Sequence, residues 1–146
     1  MQMEFPDLAA SLLEQISLFS LVSFKLDMKI DHIKFHVALY NDYMAQAELA
    51  QNLCEWLSKN FKQIPIFVSP GSQMLFWAEQ FDLKTRLEVF GDRAYQANYQ
   101  LLPRTEHNSL FTTLEKVNEQ IRYIKEEQQI FTNLDNKIPV QAETLT

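Results

Sequence analysis

Ile64-Pro65-Ile66-Phe67-Val68-Ser69-Pro70-Gly71-Ser72 is the stretch on which the fold turns. Its apolar run, 64–68, reads as a strand buried on both faces. Pro65 fits only near the beginning of that strand, where a missing N–H does least harm. Ser69 to Ser72 form a turn, and an amphipathic helix follows to about Phe81. A doubly buried strand that turns straight into a helix is the repeating unit of a parallel sheet covered by helices.

The same alternation continues on both sides. Upstream, Leu8, Leu12, Ile16, Phe19, Val22 and Leu26 recur at spacings of three and four, which predicts a helix over 7–26 opened by Pro6 and Asp7. Residues 30–35 read as a short strand. A helix over about 42–61 follows, with Ala50, Leu53, Leu57 and Phe61 as its stripe and Asn41 or Asp42 as its cap. Downstream, residues 85–90 are the third strand and a loop runs to about Asn108. A helix over 110–127 is lined by Leu110, Leu114, Val117, Ile121 and Ile124, with Thr112 and Glu115 at capping-box spacing. Ile138-Pro139-Val140 reads as the start of one more strand. The fold class is α/β, with parallel strands alternating with helices in a single domain over 1–146. Two glycines, Gly71 and Gly91, are too few for a sandwich built from tight turns.

Bulk properties narrow the function. The chain has 146 residues, 47% of them hydrophobic and 22% charged, and a net charge of −6. No basic stripe is present to displace counterions from a nucleic acid. The lone Cys54 cannot form an intrachain disulfide and fits a reducing, cytoplasmic setting. No charged leader with an apolar core opens the chain. Glu14, Gln15 and Lys25 interrupt the longest apolar stretches, so no segment is expected to cross a bilayer.

In this topology ligands bind beyond the carboxyl ends of the strands. His36, Tyr40 and Asn41 follow the first strand, and Gly71 and Ser72 the second. Glu88 lies within the third, which Asp92, Arg93 and Tyr95 follow. His36 is either a general acid or base or a strand-end histidine bonded to backbone. Gly71 and Ser72 open a helix whose N–H groups either hold an anion or are simply capped. Asp92, Arg93 and Arg104 are either substrate ligands or an ion-pair network ordering an exposed loop. His32 falls on a strand face, and His107 in a solvated loop. Cys54 sits on an apolar helical stripe and reads as core. No metal-ligand spacing, Walker loop or dinucleotide fingerprint occurs.

Those segments also carry a resemblance. Residues 33–41, Ile-Lys-Phe-His-Val-Ala-Leu-Tyr-Asn, are similar to the V-K-P-H-G-A-L-Y-N of the LamB/YcsF family, known as the A subunit of 5-oxoprolinase. Gly71-Ser72 matches that family's G-S turn. Residues 88–95 are similar to its E-V-F-A-D-R-A-Y, and residues 101–105 to its L-V-P-R-S. The resemblance implies a β/α barrel related to polysaccharide deacetylases, of which this chain is expected to hold a part. It implies the ATP-dependent opening of 5-oxo-L-proline to L-glutamate, with subunits B and C as partners. It also implies His36 and Asp92 as catalytic residues and Gly71, Ser72, Arg93, Arg104, Tyr40 and Asn41 as substrate or phosphate ligands.

Departures from the pattern set further expectations. The family's D-L-N-x-D-L-G-E opening and C-V-H-G-D close are not found, so the chain is expected to be truncated at both ends and inactive alone. A non-catalytic remnant acting as an interaction module is the alternative. Val37 replaces a glycine and is expected to obstruct substrate. Part of a barrel should also self-associate through open sheet edges, with inward-facing Phe67 and Val68 uncovered.

Overall fold

The computed structural model describes residues 3–133 and 136–146, without the side chains of Val37 and Ala38. The expected obstruction by Val37 therefore lies outside the described residues.

Helix α1 (Phe5–Lys25) starts with Pro6 and carries Asp7 in its first turn and Lys25 in its last, as the helix dipole prefers. It ends in a Schellman motif: Asp27 takes φ 55° and the Met28 N–H bonds Ser23 O at 2.9 Å. The predicted helix over 42–61 is instead two. These are α2 (Val37–Ala45) and α3 (Ala47–Asn60), broken at Gln46, whose ψ of 103° is extended. Strand β1 (Ile66–Val68) leads through the turn into α4 (Gln73–Gln80) and then β2 (Thr85–Val89). Helix α4 also closes on a left-handed aspartate, Asp82 at φ 52°, with the Leu83 N–H bonded to Ala78 O. Non-glycine residues thus occupy turn positions that a glycine-poor sequence leaves to them.

Strands β1 and β2 pair in parallel, Ile66 opposite Thr85 and Val68 opposite Leu87. The strand predicted over 30–35 is reduced to one parallel bridge, Ile33 to Ile66, on the outer edge of β1. The expected strand at 138–140 is β4 (Lys137–Pro139), and it is not part of the parallel sheet. It pairs antiparallel with β3 (Gln129–Phe131) as a hairpin. The next parallel strand is β5 (Thr144–Leu145), beside β2. The architecture is α/β, with Ile33, β1, β2 and β5 as parallel neighbours in the manner of part of a β/α barrel.

The predicted helix over 110–127 begins later, as α5 (Leu114–Arg122), and finishes in a π-turn over Tyr123–Glu127. Its cap is Thr113, whose hydroxyl accepts from the Lys116 N–H at 3.4 Å, rather than Thr112. Leu110 pairs with Arg93 outside the helix, and Leu114 is 77% exposed. The apolar stripe is therefore shorter than expected.

Strand geometry, with side chains alternating between faces, separates two surfaces of the sheet. Ile33, Phe35, Ile66 and Val68 join Leu53, Cys54, Leu57, Met74 and Ala78 in the main core, under α3 and α4. Each fully buried aliphatic side chain there contributes about 2 kcal/mol. The opposite surface carries His32, Lys34, Phe67, Arg86 and Glu88. The His32 ring stacks on Phe67 at 4.1 Å, Arg86 lies 5.9 Å from the same ring, and Lys34 pairs with Glu88. Val68 is thus fully buried on the helix side, and the expectation that it faces inward with Phe67 fails, because adjacent strand residues point to opposite faces.

Among the described residues, α1 is long and apolar enough to span a bilayer by length and composition, with a mean hydropathy of 1.3. That overturns the expectation that its charges rule this out.

Candidate functional site

Because the strands run in parallel, the segments that follow them leave from one edge. His36, the Ser69–Ser72 turn and Asp92 all lie just past that edge. His36 is exposed and occupies the N-cap position of α2 without making a side-chain cap bond. Asn41 and Asp92 are exposed as well. The Asp92 carbonyl accepts from the Phe111 N–H at 2.8 Å, tying the start of the long loop to its end.

Gly71 takes φ +68°, and a Cβ there would come within 2.5 Å of the Tyr99 ring. Ser72 is buried, and its hydroxyl accepts from the Leu75 N–H at 3.1 Å as the cap of α4. An open depression of about 420 Å³ lies over this turn, lined by Gly71, Ser72, Gln73 and Phe76.

The two arginines differ. Arg93, expected to be exposed, is only 8% exposed. Its Nη2 donates to Leu102 O at 2.7 Å and its Nε to Ser109 O at 3.3 Å, so the guanidinium staples the loop from inside. Burial, then Arg104, lower its pKa from the usual guanidinium value. Arg104 is exposed on the same loop, and its carbonyl accepts from the Ser109 hydroxyl at 3.2 Å.

The densest polar chemistry lies on the strands, where a search of the loops misses it. Lys34 and Glu88 form an ion pair in which the Glu88 side chain is 0% and the Lys34 side chain 16% exposed. The Thr146 hydroxyl donates to the same Glu88 oxygen, Oε1. Oε2 of Glu88 has no hydrogen-bond partner, and neither have the buried hydroxyls of Tyr40, Tyr43 and Ser69. Tyr40 faces Ser69 and feels the charge of Glu88, but the two hydroxyls do not meet in hydrogen-bond geometry. Burial first, and Glu88 second, push the Tyr40 hydroxyl above the ordinary phenol range. Tyr43 is pushed up by burial, then by Tyr40 and Glu88. The readable signal was phase. Lys34 stands between Ile33 and Phe35, and Glu88 between Leu87 and Val89, each a charge inside an apolar strand.

The structure therefore brings Tyr40 and Ser69 beside Glu88 and its partner Lys34, sets Arg93 inside the loop on which Arg104 stands exposed, and leaves His36, Asn41 and Asp92 exposed at the rim. Cys54 is core: it is fully buried, and burial pushes its thiol up to about 12. Among the described residues no three His, Cys, Asp or Glu side chains group as metal ligands.

Comparison with known proteins bears on this edge. The model of the LamB/YcsF family matches residues 1–146. The chain is similar to the 5-oxoprolinase A subunit of Limosilactobacillus fermentum, 32% identical over 126 residues, covering 86% of this chain and 51% of that protein. It is similar to the corresponding 5-oxoprolinase chain of Bordetella pertussis, 30% identical over 117 residues, covering 80% and 46%. The crystal structure of a lactam utilization protein from Thermus thermophilus superposes with a TM-score of 0.90 at 26% identity, covering 99% of this chain and 59% of that one. The chain spans about half the length of the curated relatives it matches.

Proposed function

Since the chain belongs to the LamB/YcsF family, we propose that it supplies part of the amide-opening site of an ATP-dependent 5-oxoprolinase, acting on 5-oxo-L-proline with subunits B and C. The observation that carries the reading is the shared carboxyl edge, where His36, Ser72 and Asp92 follow parallel neighbours in a chain of this family.

A lactam resists hydrolysis because its nitrogen lone pair is delocalised onto the carbonyl oxygen. Transfer of the γ-phosphoryl group of ATP to that oxygen, with loss of the N–H proton and departure of ADP, makes the ring carbon electrophilic. Water then adds to the carbon. The C–N bond breaks as the nitrogen takes a proton, and a γ-carboxyl phosphate is left. A second water releases phosphate and gives glutamate. In this scheme His36 and Asp92 exchange the protons from the rim. Arg104 and the Gly71–Ser72 turn meet the phosphate, with Tyr40 and Asn41 beside the substrate and Arg93 shaping the loop. ATP is held together with the partner subunits.

A second reading, a non-catalytic interaction module, draws on the bare apolar surface of α1, where Phe24 is 81% exposed. Glutamate release from 5-oxo-L-proline separates the two. The expected result is none from the chain alone and ATP-dependent release, above a control without the chain, when subunits B and C are added. No release with both subunits present sinks the enzyme reading and leaves the module.

A further inference from the structure

We propose that Lys34 is the ligand-binding cation of this site, held in place by Glu88, and that it receives the carboxylate of a small cyclic amide acid. The assignment rests on the 5-oxoprolinase reading for the identity of the ligand.

The argument starts from strand phase. Ile33 and Phe35 point into the helix-covered core, so Lys34 points to the opposite surface, together with Phe67 and Glu88. On that surface the pair is asymmetric. Glu88 is fully enclosed, while Lys34 keeps 16% of its side chain exposed. The ammonium is therefore the accessible end, and the carboxylate is its anchor.

The surroundings fit a ring carrying a charge. Lys34 Nζ lies 6.0 Å from the centre of the Phe67 ring and 5.4 Å from that of Phe90, so apolar walls stand beside the cation. Such walls suit the methylene groups of a five-membered lactam. Of the other cations at this edge, Arg93 already donates to two carbonyls, and Arg104 stands exposed on the loop.

The second observation concerns satisfaction. A buried ion pair that only supports the fold is stable when its remaining lone pairs are hydrogen-bonded. Here Glu88 Oε2 and the hydroxyls of Tyr40, Tyr43 and Ser69 are buried without partners. Unpaired buried polar atoms are rare in folded proteins and call for an explanation. Tyr43 packs on Phe35 in the helix-covered core, whereas Tyr40 faces Ser69 and packs on Phe90, which also stands beside Lys34. Hydroxyls donate to an amide oxygen and accept from an amide N–H equally well, so Tyr40 and Ser69 offer what a lactam needs beside its carboxylate.

Calorimetric titration of the folded chain with 5-oxo-L-proline and with 2-pyrrolidinone, which lacks the carboxylate, tests the assignment. Lys34→Met alone strands the Glu88 charge and can unfold the chain, so the deciding variant is Lys34→Met/Glu88→Met, which removes both charges and keeps the volume. Wild type should prefer the carboxylate-bearing ligand by about tenfold, the worth of one charge-assisted contact. The double variant should keep its thermal midpoint and lose that preference, while Lys34→Arg should retain part of it. As a positioning residue, Glu88 should respond to Glu88→Gln with a smaller preference and an unchanged response to 2-pyrrolidinone. A double variant that still prefers the carboxylate overturns the proposal, and so does a wild type indifferent to both ligands. Glutamate release with subunits B and C is scored separately. Its absence, with the preference intact, rejects the amide-opening reading and leaves Lys34 as a carboxylate ligand.

Discussion

Single residues carry unequal burdens here, and Gly71 carries two. Its φ of +68° favours glycine, and the Tyr99 ring occupies the space a Cβ would take. Gly71→Ala should destabilise the chain by about 1–3 kcal/mol. Pairing it with Tyr99→Ala should recover the steric part and leave the backbone part. Urea titration of both variants checks this, and an unchanged midpoint in the single variant would refute it. Cys54 gives a kinetic expectation. With its thiol at about 12, the reactive thiolate is scarce and enclosed, so an alkylating reagent at pH 8 should label it only after denaturation. Asp31 gives a pH dependence. Arg86, bonded to it at 2.6 and 3.0 Å, and then His32 hold its carboxyl at about 2, below the usual 3.8. A carboxylate lowered on folding stabilises above its unfolded value, so this contribution is complete above pH 3.8 and fades as pH falls toward 2. Asp31→Asn should flatten the stability–pH curve in that window, and identical slopes for the two proteins would exclude the pair as its source.

At the level of elements, the sequence was readable wherever local chemistry and packing agreed. The stretch from Ile64 to Ser72 gave strand, turn and helix correctly because Pro65, Gly71 and Ser72 each have one comfortable place in that geometry. Residues 30–35 were over-read: their apolar content served the core through Ile33 and Phe35, and only one bridge formed. The hairpin of β3 and β4 was not legible, since pairing direction depends on a partner that a local pattern does not name. That His36, Ser72 and Asp92 leave from one edge of the sheet was legible from strand order. The buried ion pair behind that edge was not, because Lys34 and Glu88 lie 54 positions apart and meet only through the Ile33–Ile66 bridge and the β1–β2 register together. Arg93 marks the same limit, for loop polarity implied exposure and the fold placed it inside. It follows that Arg93→Ala should cost about 2–4 kcal/mol by orphaning the carbonyls of Leu102 and Ser109. Arg104→Ala, exposed on the same loop, should stay within about 0.5 kcal/mol. Equal losses on thermal unfolding would contradict the division between staple and free cation.

For the whole molecule the unbalanced feature is α1. Its first half docks through Phe5, Leu8, Leu12 and Ile16, but beyond them the helix has little cover. Leu18 is 63% exposed, Phe19 60%, Phe24 81%, Leu26 64% and Met28 64%. So many exposed large apolar side chains on one element suit a contact surface. Two sheet edges add to it among the described residues, since the Ile33 segment bonds only to β1 and β5 only to β2. Covering ~400 Å² of apolar surface would contribute ~10 kcal/mol before the losses of association, enough to pair two copies. The chain should therefore sediment as a concentration-dependent oligomer. Leu18→Glu/Phe24→Glu should return it to a monomer with an unchanged thermal midpoint, because both side chains stand in solvent. Should the wild type stay monomeric at high concentration, the pairing argument fails. If that monomer then floats with neutral lipid vesicles, the apolar length of α1 is serving a bilayer instead.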